Sequence, residues 1–182
     1  RTMNLFADIT DEDVGSLEKL AAGKFLHYQP AETNTSIREG WFYRDDTDQK
    51  VRTTDDVFDI YERSVGGNSV FLLNIPPNRE GKFSGQDVQV LKETGQRIRE
   101  TYGVNLLEGA EGPKELLDND QETNLVLQGE QPIVEIMLPK ATKINRFLVQ
   151  ENVNISGERI AKHSLDAWVD DGWKEVATAT NI

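Results

Sequence analysis

The segment from Glu32 to Tyr43 holds the residues best suited to chemistry. Glu32 is followed by Thr33, Asn34, Thr35 and Ser36, and a few positions on come three consecutive aromatics, Trp41, Phe42 and Tyr43. A carboxyl group can protonate the oxygen of a leaving group, amides and hydroxyls can hold polar substituents, and flat aromatic faces can cover an apolar ring. Together these suit the cleavage of a glycosidic bond, for which a carboxyl acid is the central requirement. The same residues fit a plainer reading, with Glu32 a solvated loop residue and Trp41-Phe42-Tyr43 a packed loop anchor.

The elements that must position this segment are legible on either side. Helix periodicity covers Ser16 to Ala22, closed by Gly23, and a short apolar run, Phe25 to Tyr28, predicts a strand that stops before Pro30. Gln29 to about Arg52 reads as a long polar loop. Thr53 or Thr54 can cap a helix whose first turn carries Asp55 and Asp56, whose apolar face is Val57, Ile60, Tyr61 and Val65, and which ends before Gly66. Ser69 to Ile75 is continuously apolar, as in a strand covered on both faces in a parallel sheet, and Pro76-Pro77 ends it. Ser84 with Asp87 resembles a capping box opening a helix with Val88, Leu91, Gly95, Ile98 and Tyr102 on one stripe. Strand, helix, strand, helix implies parallel strands with crossover helices, and long loops at the carboxyl ends of such strands are where α/β folds place their sites.

Near residue 104 the hydrophobic period changes. Short alternating segments follow at Thr123–Leu127, Ile133–Leu138, Asn145–Gln150, Ser164–Val169 and Trp173–Ala177, with a hairpin signal at Asp171-Gly172. The expected fold class is therefore α/β followed by all-β: a first domain over 1–107 and an antiparallel β-sandwich, shorter than usual for that architecture, over 108–182.

Composition removes several classes of function. The 182 residues include 20 basic and 32 acidic side chains, a net charge of −12, split −5 and −7 about Asn105. That charge repels nucleic acid and anionic membrane surfaces, so neither is an expected partner. The longest apolar run, Val70 to Ile75 with Asn74 inside it, is far too short to cross a bilayer. The absence of Cys excludes thiol catalysis and Cys-ligated zinc, and two His, His27 and His163, cannot furnish a three-His metal site. No Gly-x-Ser-x-Gly, phosphate-binding loop or dinucleotide fingerprint occurs.

Three runs in order, Pro30-Ala31-Glu32-Thr33-Asn34-Thr35-Ser36-Ile37-Arg38-Glu39-Gly40-Trp41-Phe42-Tyr43, Ile60 to Asn68 and Leu72 to Gly81, resemble bacterial α-L-fucosidases of glycoside hydrolase family 29. The likeness covers about residues 12–110, and Leu116 to Ile182 resembles part of the discoidin-like (F5/8 type C) sandwich that often follows the catalytic domain in these enzymes. The resemblance implies the C-terminal βα units of a TIM-like barrel, Ser69–Ile75 being the last strand and Ser84–Tyr102 the closing helix. It also implies a retaining hydrolase removing terminal α-linked L-fucose from glycans, through an Asp nucleophile and a Glu acid/base. The Pro-Ala-Glu run carries the acid/base role onto Glu32, whose pKa should then exceed that of an exposed Glu through partial burial and a nearby second carboxylate. Trp41 and Tyr43 are the implied sugar contacts, whereas Asn68, Asn74 and Arg38 read as loop supports.

No position matches the nucleophile motif, so the nucleophile and the other missing barrel residues are expected to precede Arg1. The chain is accordingly expected to be truncated at both ends and inactive alone. The Asp118–Thr123 turn resembles one that binds Ca²⁺ in some discoidin-like domains, making Asp118 and Asp120 candidate ligands for a structural calcium, although an ordinary Asp turn accounts for the same spacing. No cofactor is required for catalysis, and a periplasmic or secreted setting is implied. The alternative is a non-catalytic carbohydrate-binding or scaffold module presenting Trp168 or Trp173.

Overall fold

The computed structural model describes residues 17–25, 31–45, 49–157 and 159–180. A short helix, α1 (Leu17–Ala21), precedes a unit of strand β1 (Ala31–Ser36), helix α2 (Thr54–Val65), strand β2 (Ser69–Asn74) and helix α3 (Gly85–Tyr102). The chain ends in a hairpin of β3 (His163–Val169) and β4 (Gly172–Ala179).

β1 and β2 pair in parallel, with Glu32 opposite Val70, Asn34 opposite Leu72 and Ser36 opposite Asn74. Side chains alternate across a strand, and partners in register share a face. Phe71 and Leu73 therefore turn to the helices, where with Val51, Ile75 and Leu91 they pack on the buried core of Ile37, Val57 and Val90. The opposite face carries Glu32, Asn34, Val70 and Leu72. Val70 and Leu72, at 54% and 50% exposure, are not covered there by any described residue. The double-faced burial that a continuous apolar run implies is thus met on one face only.

β1 falls where a polar loop was expected. Ala-Glu-Thr-Asn-Thr-Ser has no apolar signal, yet the parallel ladder to β2 satisfies its backbone and Thr33 Oγ1 meets Ser69 Oγ at 3.2 Å. The strand expected at Phe25–Tyr28 falls almost wholly outside the described residues. Phe25, which is described, is exposed.

α2 starts as its sequence implies. Thr53 is extended, and its hydroxyl accepts the Asp56 N–H at 3.2 Å. The buried face is Val57 and Phe58, with Val65 left exposed. α3 departs from expectation at its first turn, where Ser84 is the N-cap without a side-chain cap bond. Asp87 is fully buried and pairs with Arg38 instead. This turns the buried stripe to Asp87, Val90 and Thr94, one position round from the expected one. Across the helix pair, the Arg97 guanidinium lies 4.3 Å from the Phe58 ring centroid and ion-pairs with Asp55, a contact of the cation–π kind.

Beyond α3 the antiparallel sandwich expected over 108–182 is represented, among the described residues, by one hairpin. Residues 123–127 and 145–150 carry no strand ladder, and 133–138 contributes a single bridge, Glu111 to Met137. A strand exists only where a second edge satisfies its N–H and C=O groups, and alternation alone does not supply one. The hairpin itself turns on Asp170 and Asp171, at φ 52° and 60°, one residue before the expected Asp-Gly pair. Two positive φ values are what a type I′ turn requires, and Gly172 already belongs to β4. Arg146 joins this half to the helices: Nε and Nη2 donate to Glu62 Oε1 and Oε2 at 2.5 and 3.0 Å, and the Tyr102 hydroxyl donates to the same carboxylate at 2.7 Å. The Arg146 bonds hold the Glu62 carboxyl below its ordinary pKa of 4.5, while partial burial and the Glu62 carboxylate push Tyr102 up.

Candidate active site

At the carboxyl ends of β1 and β2 the chain makes two loops that face each other. The first leaves β1 through Ile37, pairs Arg38 with Val51, turns at Gly40 (φ 87°) and exposes the aromatic run. The second follows β2 through Pro76-Pro77 and is closed by Asn78, whose Oδ1 accepts the backbone N–H groups of Glu80 and Lys82, each at 3.0 Å. Between them lies an open cleft of about 710 Å³, walled by residues 41–45 on one side and 76–79 on the other, with Asn74 between the walls.

The first wall is held from beneath. Arg38 Nε donates to Asp87 Oδ2 at 3.0 Å and its Nη2 lies 2.9 Å from Asp87 Oδ1, with 9% and 0% of the two side chains exposed. The same guanidinium sits 5.4 Å from the Tyr43 ring centroid. Asn74 Nδ2 donates to the Trp41 carbonyl at 3.0 Å and to Ser36 Oγ at 3.1 Å, joining loop and both strand ends. Arg79 and Asp45 pair across the mouth at 2.5 Å.

Trp41 and Tyr43 both line this cleft, together with Phe42. Glu32 does not. It is the second residue of β1, exposed, and four positions short of Ser36, which at about 3.3 Å per residue puts it roughly 13 Å below the rim. The partial burial expected for it is therefore not supplied by the described residues. It stands with Asn34 on the sheet face away from the helices. Asp45 is the one carboxylate in the cleft's described lining.

Asp118 and Asp120 lie elsewhere, in the 118–123 turn. Asp118 Oδ1 accepts the Asp120 N–H at 3.0 Å and the Thr123 hydroxyl bonds both of its oxygens, while Asp120 Oδ1 accepts the Glu122 N–H at 2.9 Å. The Asp120 N–H, then the Thr123 hydroxyl, hold the Asp118 carboxyl below its ordinary range. These bonds account for both carboxylates as turn formers. Among the described residues no group of three or more His, Cys, Asp or Glu could hold a metal ion.

Residues 5–101, more than half of the chain, match the family described as Alpha-L-fucosidase. The chain belongs to the alpha-L-fucosidase family. A curated relative, Alpha-L-fucosidase 1 of Arabidopsis thaliana, is 29% identical over 171 residues, 84% of this chain and 33% of its own length. The chain spans about a third of the length of the curated relatives it matches. Among solved structures, a glycoside hydrolase 29 family member from an unknown rumen bacterium is 33% identical with a TM-score of 0.63, over 81% of this chain and 24% of that one. A Ruminococcus gnavus GH29 fucosidase in complex with fucose shares the fold at 24% identity and a TM-score of 0.68, over 84% of this chain and 34% of that one. In this member of the alpha-L-fucosidase family, Gln49, Asp87 and the 76–79 wall were not assigned a part in the site by sequence. Gln49 lies in a pattern-free polar loop, and Asp87 is masked by its likeness to a capping residue.

Proposed function

We propose that this segment belongs to a retaining α-L-fucosidase that hydrolyses terminal α-linked L-fucose from glycans. One observation carries the reading: two parallel strands, backed by helices on one face only, end in an aromatic cleft at their carboxyl rim, while Val70 and Leu72 on the other face are open. That is the form of βα units whose inner face is completed by further strands of a barrel, with the substrate entering at the rim. Family membership supports the chemistry, and the fucose bound by the Ruminococcus gnavus relative of the same fold supports the ligand.

In this reading Trp41 and Tyr43 form the sugar-facing wall. Glu32 is the acid/base, donating a proton to the leaving oxygen and later taking one from water, and the Asp nucleophile, about 5 to 5.5 Å from it, comes from strands not in this chain. Its support is the Pro-Ala-Glu run and its place on the helix-free face. It carries a geometric consequence: with Glu32 roughly 13 Å below Ser36, the glycan must reach down the helix-free face to the scissile bond, and the aromatic wall meets its outer part. A periplasmic or secreted setting belongs to the same proposal.

The test joins this chain to the upstream barrel strands of a relative and follows an aryl α-L-fucoside by proton NMR. The reading predicts release of fucose with the α anomer formed first. No hydrolysis, or the β anomer first, overturns it. The non-catalytic alternative draws on Trp168 and Trp173, an exposed edge-on pair with centroids 5.4 Å apart, and predicts glycan affinity lost on changing either.

A further inference from the structure

Gln49 is only 6% exposed, although it belongs to a polar surface loop. A primary amide has two N–H donors and two acceptor sites, and burying it without partners is costly. Here all are used. Nε2 donates to the carbonyls of Glu39 and Phe42 at 3.0 and 2.9 Å, and Oε1 accepts the Arg44 N–H at 3.2 Å and Arg38 Nη1 at 3.4 Å. One side chain thus bonds the ascending limb of the aromatic loop, at Arg38 and Glu39, to the descending limb, at Phe42 and Arg44. Asn74 adds a tie at the Trp41 carbonyl. The outcome is unusual for a surface loop: the backbone is pinned from beneath while the Trp41 and Phe42 side chains remain 51% and 83% exposed.

Exposed rings on a pinned backbone can meet a ligand with little further loss of loop freedom, whereas an unpinned loop would have to be ordered during binding. We propose that Gln49 is a positioning residue for sugar binding: by cross-linking the two limbs of the 39–44 loop it sets the aromatic wall of the cleft in its binding geometry before substrate arrives. The identity of the ligand rests on the fucosidase reading above; the clamp rests on the four hydrogen bonds alone. The two amide donors decide the matter chemically. Gln49→Glu keeps the acceptors for Arg38 and Arg44 but turns a carboxylate oxygen toward the Glu39 and Phe42 carbonyls. Gln49→Met keeps the volume and loses all four bonds.

Two measurements test this. On this chain, hydrogen exchange at the Arg44 amide should quicken by about tenfold or more in Gln49→Met, with the amides of Ile37 and Val90 unchanged, because an opened bond loses its protection while the core stays closed. In the chain joined to the upstream barrel strands of a relative, Gln49→Met should raise KM for an aryl fucoside about tenfold with kcat within about threefold, the signature of lost uniform binding. Gln49→Glu should be intermediate, its KM approaching the unsubstituted value as pH falls and the protonated carboxyl again donates to the Phe42 carbonyl. Unchanged Arg44 exchange in Gln49→Met overturns the clamp. A loosened loop with unchanged KM overturns its role in binding while leaving the fucosidase reading intact. If the unsubstituted joined protein cleaves no fucoside, that reading fails and the exchange result alone decides the clamp.

Discussion

Asp87 shows how a single residue can be read correctly for type and wrongly for role. Ser84-x-x-Asp87 has the spacing of a helix cap, but the carboxylate is buried against Arg38, which reaches it from a loop 49 positions earlier in the chain. No local pattern encodes such a partner. The Arg38–Asp87 pair joins the first turn of α3 to the root of the aromatic loop, and it is sealed from solvent, so removing one member leaves an unpaired buried charge. Asp87→Ala should therefore destabilise the fold by about 3 to 5 kcal/mol, checked by urea denaturation. Arg38→Met with Asp87→Leu, which removes both charges, should recover much of that loss. Equal losses in the single and double variants would contradict the pair's role.

At the scale of elements, α2 was legible from both ends: Thr53 before Asp55 and Asp56, and Gly66 after Val65, are local signals that tertiary packing has no reason to overrule. Thr53→Ala should lower stability by about 1 kcal/mol, seen as a shift in the thermal midpoint, because the Asp56 N–H loses its partner. β2 and the final hairpin were equally readable, the one as an apolar run and the other from turn residues. β1 was not, because its six residues are polar or small and its strand character comes from β2, more than 30 positions away. The alternating segments between residues 123 and 150 err in the opposite sense, carrying the pattern of strands without a described partner edge. In the cleft, the aromatic run announced itself, whereas Gln49 gave no signal, since what it does depends entirely on which carbonyls the fold brings to it.

For the molecule as a whole, the Arg146–Glu62–Tyr102 cluster is where the C-terminal half meets α2 and α3. Glu62 has a native pKa below 4.5, so the folded state favours its ionised form and the contact contributes fully above that value. As pH falls from about 4.5 through the lowered native value, that contribution is lost. Limited proteolysis between pH 7 and pH 3 should show the segment around Arg146 becoming cleavable on the acid side, and Glu62→Gln should flatten the dependence. A profile unchanged by that substitution would contradict the linkage.

The sheet's two faces frame the larger question. One is closed by Val57, Val90 and their neighbours, and on the other Glu32, Asn34, Val70 and Leu72 are exposed among the described residues. In the proposed fucosidase barrel the acid/base carboxyl belongs to this face. The most direct test is the turnover of an aryl α-L-fucoside by the chain joined to the upstream barrel strands of a relative, with Glu32 intact and as Glu32→Ala. The account predicts that the substitution lowers kcat by about 10² to 10⁴, the usual worth of a positioned acid/base, with partial recovery in azide. Turnover by Glu32→Ala equal to that of the intact protein would contradict it.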